Sequence, residues 1–269
     1  MPPSTSASRS RIGIIIPACD EAPAIGRVLE ELLDRIDPEK FCVAVGVNGS
    51  TDATAEIARR YPVLVAETPL RGYGFGCRAA IEHLDAVLPS VSAYLFYAAD
   101  GASDPRDLGR LAAAFSAGED FVLGARTRTP ANWPIMRFSH VVANLALAAW
   151  CGVLAGRWFS DLAPLRLIER DLFHELDLRE MTFGWTIEAQ IVAARLGARM
   201  REVTARERRR LAGEQKVSGV TWRRTFSIGC RIVAAGLRAR RRCVRGRIAR
   251  NKSSLDGTGA MLPHPHRGS

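Results

Sequence analysis

The sequence predicts an α/β domain built on a mostly parallel sheet. Three observations predict it. Short continuous apolar runs alternate with segments of helical periodicity, and each run ends in a polar or turn-forming cluster. Hydrophobic residues make up 47% of the 269, enough to fill one core of about 200–250 residues.

Residues 1–10 are polar and rich in Ser and Pro, the composition of a disordered leader. The run 11–17 is continuously apolar after Arg11, as in a strand buried on both faces. In 24–36, Ile25, Val28, Leu29, Leu32, Leu33 and Ile36 recur at helical spacing. A strand is expected at 41–47. The next helix opens at Gly49-Ser50-Thr51-Asp52, a small cap residue and then an acid in the first turn, which suits the helix dipole. Strands follow at 61–66, 93–99 and 120–124, with helices at 76–87 and 104–117 between and after them. Beyond Arg128 the alternation fades. An apolar, Ala-rich helix is expected at 138–154, a helix at 188–196, and charged, strand-like sequence at 201–210. The segment 220–250 reads as a basic amphipathic helix, with Trp222, Phe226, Ile228, Ile232, Val233 and Leu237 set against arginines. The expected division is therefore a leader (1–10), a main domain (11–219), the basic helix (220–250) and a disordered tail (251–269).

In parallel α/β sheets, ligands bind beyond the carboxyl ends of the strands. Four clusters stand there: Pro17-Ala18-Cys19-Asp20-Glu21, Asn48-Gly49-Ser50-Thr51-Asp52, Asp100-Gly101 and Arg126-Thr127-Arg128. All are expected to converge on one edge.

Composition narrows the function classes. The six cysteines have no CxxC spacing and the five histidines are dispersed, apart from His264 and His266, so reduced intracellular thiols fit better than a zinc site or a disulfide framework. The run 12–17 is too short for a signal-peptide core. The stretch 141–155, interrupted by Asn144, falls short of the ~20 residues that span a bilayer, so no transmembrane helix is expected. The net charge of +10 is concentrated: from Arg199 to Arg250 there are 16 arginines and one lysine against three glutamates. Arginine at that density suits phosphate or anionic lipid. Few aromatics interleave with it and no nucleic-acid-binding module is visible, so nucleic acid is not an expected partner. A solvated charged tail is the plainer alternative.

Six segments, in this order, resemble the inverting family 2 glycosyltransferases, and among them the dolichyl- and polyprenyl-phosphate sugar synthases. Ile14-Ile15-Ile16-Pro17-Ala18-Cys19-Asp20-Glu21 is similar to an apolar strand followed by Pro-Ala-aromatic-Asn-Glu, with Cys19 and Asp20 as departures. Val47-Asn48-Gly49-Ser50-Thr51-Asp52 resembles Asp-Asp-Gly-Ser-Thr-Asp, with both leading acids replaced. Arg71-Gly72-Tyr73-Gly74-Phe75-Gly76 resembles the Gly-rich loop before a helix. Ala98-Ala99-Asp100 stands where the family carries Asp-x-Asp, and Ala102 where the branch carries Gln. Ser160-Asp161, followed by Leu165-Arg166, resembles a Ser-Asp with a Phe/Leu-Arg pair. Arg208-Arg209-Arg210-Leu211-Ala212-Gly213-Glu214-Gln215-Lys216-Val217-Ser218-Gly219 resembles the branch's basic, Gly-punctuated signature.

The resemblance covers roughly 12–219 and implies a single GT-A (nucleotide-diphospho-sugar transferase), Rossmann-like domain. It implies that Pro17, Ala18, Cys19, Glu21, Asn48, Ser50, Gly72, Ala99 and Asp100 bind the nucleotide sugar. Asp100 is implied to hold Mg2+ or Mn2+, and Asp100 and Asp161 to be catalytic. Arg126, Arg137, Arg210 and Lys216 are implied to bind phosphates and acceptor. The implied reaction moves a sugar from a nucleoside diphosphate sugar to a polyprenyl phosphate. The implied setting is cytoplasmic, with 141–155 and 220–250 placing the protein at an anionic membrane surface, the inner face of the cytoplasmic membrane. Two alternatives stay open: a soluble transferase acting on a hydroxyl, for which Asp161 is the base, and a non-catalytic nucleotide-binding relic of the fold.

Overall fold

Continuous apolar sequence builds the middle of the sheet. In β1 (Ile12–Ala18), Ile14, Ile15 and Ile16 are all fully buried, as expected for a strand covered on both faces. The computed structural model describes residues 11–136, 138–182, 184–211 and 231–243. Parts of the expected division, 1–10, 212–219, 220–230, 244–250 and 251–269, lie outside them, as do Arg137 and Lys216.

After β1 come α1 (Ala22–Leu33), β2 (Phe41–Asn48), α2 (Thr54–Ala58), β3 (Leu64–Thr68), α3 (Tyr73–Val87) and β4 (Ala93–Phe96). A short 3-10 turn, Pro105–Asp107, leads into α4 (Leu108–Ser116) and β5 (Phe121–Ala125). Then follow α5 (Trp133–Met136), α6 (Phe138–Ala155), β6 (Arg166–Glu169), α7 (Arg170–Glu175), α8 (Trp185–Leu196) and β7 (Met200–Thr204), with a further helix, α9, at 231–243. The seven strands lie in the order β3-β2-β1-β4-β6-β5-β7. Pairings β1–β2, β1–β4, β2–β3 and β5–β7 are parallel, whereas β6 runs antiparallel between β4 and β5. Side-chain alternation sends Ile14, Ile16 and Leu95 to the α1 and α4 side, where Leu29 and Leu111 pack. Ile15 and Phe96 face the other layer, with Leu84, Cys151, Trp185 and Ile191.

The mostly parallel α/β expectation is met, with differences at particular elements. β6 was not expected, because four residues with Leu167-Ile168 at their centre carry too little periodicity to stand out. β4 stops at Phe96 rather than continuing to 99, although the Tyr97 amide still donates to Ile15 O at 2.9 Å. α3 starts at Tyr73, so the Gly-rich loop is itself the first helical turn. The reason is steric: a Cβ at Gly46 would overlap the carbonyl oxygen of Gly76, so glycines at both positions let α3 sit directly on β2. In α9 the inward face is Ala235 and Ala239, 3% and 1% exposed, while Leu237 faces outward. Arg238 and Arg242 fasten the helix to Glu180 and Glu188 at 2.9 and 2.8 Å.

Two glycine substitutions should separate in sign. Gly46→Ala should lower the unfolding free energy by about 3 kcal/mol through overpacking. Gly109→Ala, in α4 with open space around the site, should raise it by up to about 1 kcal/mol. Urea denaturation of the two variants measures both.

Candidate active site

The loops after β1 and β2 are sewn together by capping bonds. The first amides of a helix lack intrahelical partners. Here the Asp20 and Glu21 amides ahead of α1 and the Ala22 amide that opens it donate to Ser50 Oγ (2.9 Å), Thr54 Oγ1 (2.8 Å) and Asp52 Oδ2 (3.0 Å). Asp20 adopts φ 51°, a left-handed conformation that Asp tolerates, and its Oδ1 accepts from the Thr51 amide at 2.7 Å. That amide bond and the Arg71 guanidinium hold the Asp20 carboxyl below its ordinary range. The Ser-Thr-Asp run therefore caps α1, the neighbouring helix, as well as opening its own.

Beyond β4 the chain turns at Gly101 (φ 77°), with the Ala102 amide donating to Asp100 Oδ1 at 2.9 Å. The segment 206–211 returns alongside this turn. Arg208 N donates to Ala102 O at 2.8 Å and Leu211 N to Asp100 O at 3.0 Å, with a bridge between Ser103 and Glu207. Extended chain presents alternate residues to the same side. Arg206 pairs with the fully buried Asp107 at 2.8 Å, Arg208 with Glu31 at 2.8 Å, and Arg210 with both Asp100 (Nε to Oδ2, 3.0 Å) and Glu21 (Nη2 to Oε1, 3.4 Å). The basic run is thus partly a row of ion pairs closing the site.

A second arginine sits between two carboxylates. Asp161, fully buried in the approach to β6, accepts from the Arg126 amide (2.7 Å), Arg126 Nε (3.1 Å), Arg126 Nη2 (2.9 Å) and Asn144 Nδ2 (2.7 Å). Burial by itself would raise the Asp161 pKa, but Arg126 and these donors bring it below the ordinary value. On its other side Arg126 Nη1 lies 3.5 Å from Glu207 Oε1. Burial first, then the Asp100 and Asp161 charges, push the Glu207 carboxyl up to about 7, against the pull of Arg126.

Ion pairs therefore group the expected residues as Glu21, Asp100 and Arg210, and as Arg126 and Asp161. Cys19 and Ser50 border the first group through Asp20. Pro17 is half-buried at the end of β1, while Ala18 and Ala99 are buried. Gly72 opens α3. Asn48 is only 3% exposed and packs its Oδ1 against Gly76 of α3. Asp161 is fully buried, with its carboxylate taken up by Arg126 and Asn144. Arg166 is buried in the core over the Trp185 ring (5.6 Å), not at the edge. Two further residues belong to the constellation. Asn144 had a signal, as a lone amide inside an apolar helix. Glu207 had none, because a single acid within a charged run looks solvated.

A divalent ion fits this donor set poorly. Among the described residues no group of three His, Cys, Asp or Glu side chains converges. Position 98 offers a methyl group, and of the Asp100 oxygens one accepts from its own turn and the other is ion-paired with Arg210. A divalent ion on Asp100 would lie beside the Arg210 guanidinium, and at ~4 Å that repulsion is about 8 kcal/mol for an effective dielectric near 20. The expectation that Asp100 binds Mg2+ or Mn2+ is not supported by this geometry.

A mostly parallel sheet with one antiparallel strand, and charged groups gathered at its carboxyl edge, matches the expected GT-A type nucleotide-sugar transferase architecture. The Glycosyl transferase family 2 profile matches residues 13–172, more than half of the chain. The chain belongs to that family and is a glycosyltransferase that uses a nucleotide sugar. An uncharacterized glycosyltransferase of Mycobacterium bovis is 30% identical over 210 residues, 77% of this chain and 90% of that protein. A dolichyl-phosphate hexose transferase of Haloferax volcanii is 30% identical over 207 residues, 77% of this chain and 86% of that protein. Glucosyl-3-phosphoglycerate synthase from Mycobacterium tuberculosis, solved with Mn2+, UDP-glucose and glycerol 3-phosphate, superposes with a TM-score of 0.61 at 19% identity. The match covers 86% of this chain and 80% of that one, and at such identity it speaks for the fold.

Asp161→Asn should cost about 3–5 kcal/mol, because it leaves Arg126 with a weakened partner in a buried place. The lowered Asp161 pKa makes that contribution present at neutral pH and lost as pH falls below the ordinary aspartate value, so wild type and variant should converge in melting temperature toward acid. Glu207 has the opposite sign. Its folded-state pKa lies above the ordinary 4.5, so stability falls as pH rises from there to about 7. Glu207→Gln should remove that fall, read as a smaller drop in Tm from pH 5 to pH 8.

Proposed function

We propose that this chain transfers a sugar from a nucleoside diphosphate sugar to a polyprenyl phosphate at a cytoplasmic membrane surface, with inversion at the anomeric carbon. The observation that carries this reading is the condition of Asp161. A hydroxyl acceptor needs a base to take its proton. Asp161, the acid that the resemblance puts near the reacting sugar, is buried and holds Arg126 through both oxygens. A phosphate monoester is largely ionised at neutral pH and needs no base. Its oxygen attacks the anomeric carbon, the bond from that carbon to the diphosphate oxygen breaks, and the electron pair leaves on the diphosphate. Arg126, carried by its pair with Asp161 and exposed along part of its side chain, is suited to the acceptor phosphate.

The surface beside this site supports a lipid acceptor. α6 reaches Asp161 through Asn144 on its inner side, and on its outer side it exposes Phe138 (70%), Val142 (50%) and Val153 (72%), with Trp158 (72%) just beyond its end. Exposed Arg157 adjoins Trp158, and α9 exposes Arg231, Arg238, Arg240 and Arg241. An apolar strip with arginines nearby suits the headgroup layer of an anionic membrane. α6 is 18 residues long with mean hydropathy 1.6, long and apolar enough to cross a membrane by length and composition alone, and a third of it is buried in the fold. That exceeds what 141–155 promised in the sequence. The name of the Haloferax volcanii relative, a dolichyl-phosphate hexose transferase, points to the same class of acceptor.

One observation favours a second reading, in which the acceptor is a hydroxyl and Glu207 takes its proton, since its carboxyl is half-buried near the reacting edge with a pKa pushed up to about 7. Turnover of radiolabelled nucleotide sugars with polyprenyl phosphate in detergent distinguishes the two. Lipid-linked product from wild type, with Glu207→Gln retaining at least about a tenth of the rate, is the expected result. Product only on a hydroxyl acceptor, lost in Glu207→Gln by about 100-fold or more, would replace the first reading with the second.

A further inference from the structure

We propose that this site holds the leaving diphosphate with the Arg210 guanidinium in place of a divalent metal ion, and that Glu21 and Asp100 are the carboxylates that orient it. The inference rests on the nucleotide-sugar reading of the site and is independent of the acceptor.

Placement is the first argument. Ligands of such sheets sit in the crevice outside the carboxyl ends of the strands. β1 and β4 are neighbours in this sheet, and Arg210 spans their ends, with Nε 3.0 Å from Asp100 Oδ2 and Nη2 3.4 Å from Glu21 Oε1. A guanidinium paired with two carboxylates that follow different strands is placed between them before a ligand arrives. The backbone on both sides of it is also tied down, by Arg208 N to Ala102 O at 2.8 Å and Leu211 N to Asp100 O at 3.0 Å.

The donor set is the second argument. Ala98 contributes no oxygen, and Asp100 accepts from the Ala102 amide at Oδ1 while its Oδ2 lies 3.0 Å from Arg210 Nε as an ion pair. The carboxylate that remains at the strand end therefore anchors an arginine. This single reassignment accounts for three things: why one acid of the pair can be alanine, why the other is kept, and why Glu21 points at a cation rather than outward.

Chemistry is the third. When the bond from the anomeric carbon to the diphosphate breaks, its electron pair stays on the diphosphate oxygen, and a preorganised cation must meet that charge. A guanidinium is positive at every working pH and offers a planar fork of donors that matches phosphate, so it can keep its carboxylate anchors and meet diphosphate oxygens together. No proton moves in this step and no further reactant is needed.

The test is calorimetric binding of nucleoside diphosphates (adenosine, cytidine, guanosine, thymidine and uridine in turn) to the full chain, in EDTA and in Mn2+. The preferred nucleotide should bind in EDTA within roughly threefold of its Kd in Mn2+. Arg210→Ala should weaken binding in EDTA by at least about tenfold, and Arg210→Lys should recover only part of it, having the charge without the fork. Asp100→Asn should weaken binding equally in both buffers, whereas a metal ligand would lose only an increment that depends on Mn2+. Ala98→Asp should create such an increment. Thermal melting of each variant identifies those that fail to fold, and the wild-type arms stand without them. Binding that is absent in EDTA, whether or not Mn2+ restores it, overturns the proposal. The polyprenyl phosphate reading fails separately, by lack of lipid-linked product from a chain that binds nucleotide.

Discussion

The buried ion pair between Asp161 and Arg126 is the constraint on which the rest of the site depends. Removing two charges from water costs several kcal/mol per ion, and the cost is recovered only when geometry is good and the remaining donors and acceptors are satisfied. Both conditions are met: Asp161 takes four hydrogen bonds, two from the Arg126 side chain, one from its amide and one from Asn144. The end of β5, the approach to β6 and the inner side of α6 are therefore fixed relative to one another. Ser160 extends the same junction to β7, since its amide and hydroxyl both donate to Glu202 at 2.8 Å.

From that junction the site is built as arginines held between carboxylates. Arg126 lies between Asp161 and Glu207, and Arg210 between Glu21 and Asp100. Such an arrangement limits repulsion among four acids crowded at one strand edge and leaves each guanidinium aimed. It also couples the two halves: Glu207 and Arg210 ride on the same extended segment, so a shift of that segment moves a partner of Arg126 and Arg210 itself together. Glu207 has the longest cation contact of the four, at 3.5 Å, and its pKa is raised by burial first and by the neighbouring carboxylates second.

Much of this was legible in the sequence because it rests on local pattern. Apolar runs such as Ile14-Ile15-Ile16 announce buried strands, and the clusters that follow them mark the functional edge. The antiparallel β6 was not legible, since its existence depends on β4 and β5 being there to receive it. Nor was the fate of Asp161: a Ser-Asp before an apolar pair looks the same whether the acid meets a sugar or seals an ion pair. The basic run 206–210 was legible as charge but not as partnership, because Asp107, Glu31, Asp100 and Glu21 lie about 100 to 190 residues away in the chain. In α9, a hydrophobicity pattern ranks Leu237 above Ala235, whereas close packing prefers the smaller side chain.

The alanine at position 98 acquires a physical meaning beside Arg210. A divalent ion brings two charges to a leaving diphosphate, and it needs ligands that stay unpaired until it arrives. An arginine brings one charge and needs ligands that are already paired with it. Converting one arrangement into the other does not require rebuilding the strand end. Deleting one acid removes half of the metal's protein ligands, and the surviving acid, together with Glu21, has the geometry to seat a guanidinium delivered by a neighbouring strand of chain. The exchange gives up some electrostatic stabilisation at the bond-breaking oxygen, because the charge supplied is smaller. It gains a cation that is positioned in advance, with no ion to capture before the reaction and none to release with the product. A decayed site would be expected to leave its remaining acid without a role, whereas Asp100 accepts hydrogen bonds at Oδ1 and at its backbone carbonyl and is ion-paired with Arg210. That difference is why the loss at 98 reads as a substitution of one kind of charge for another.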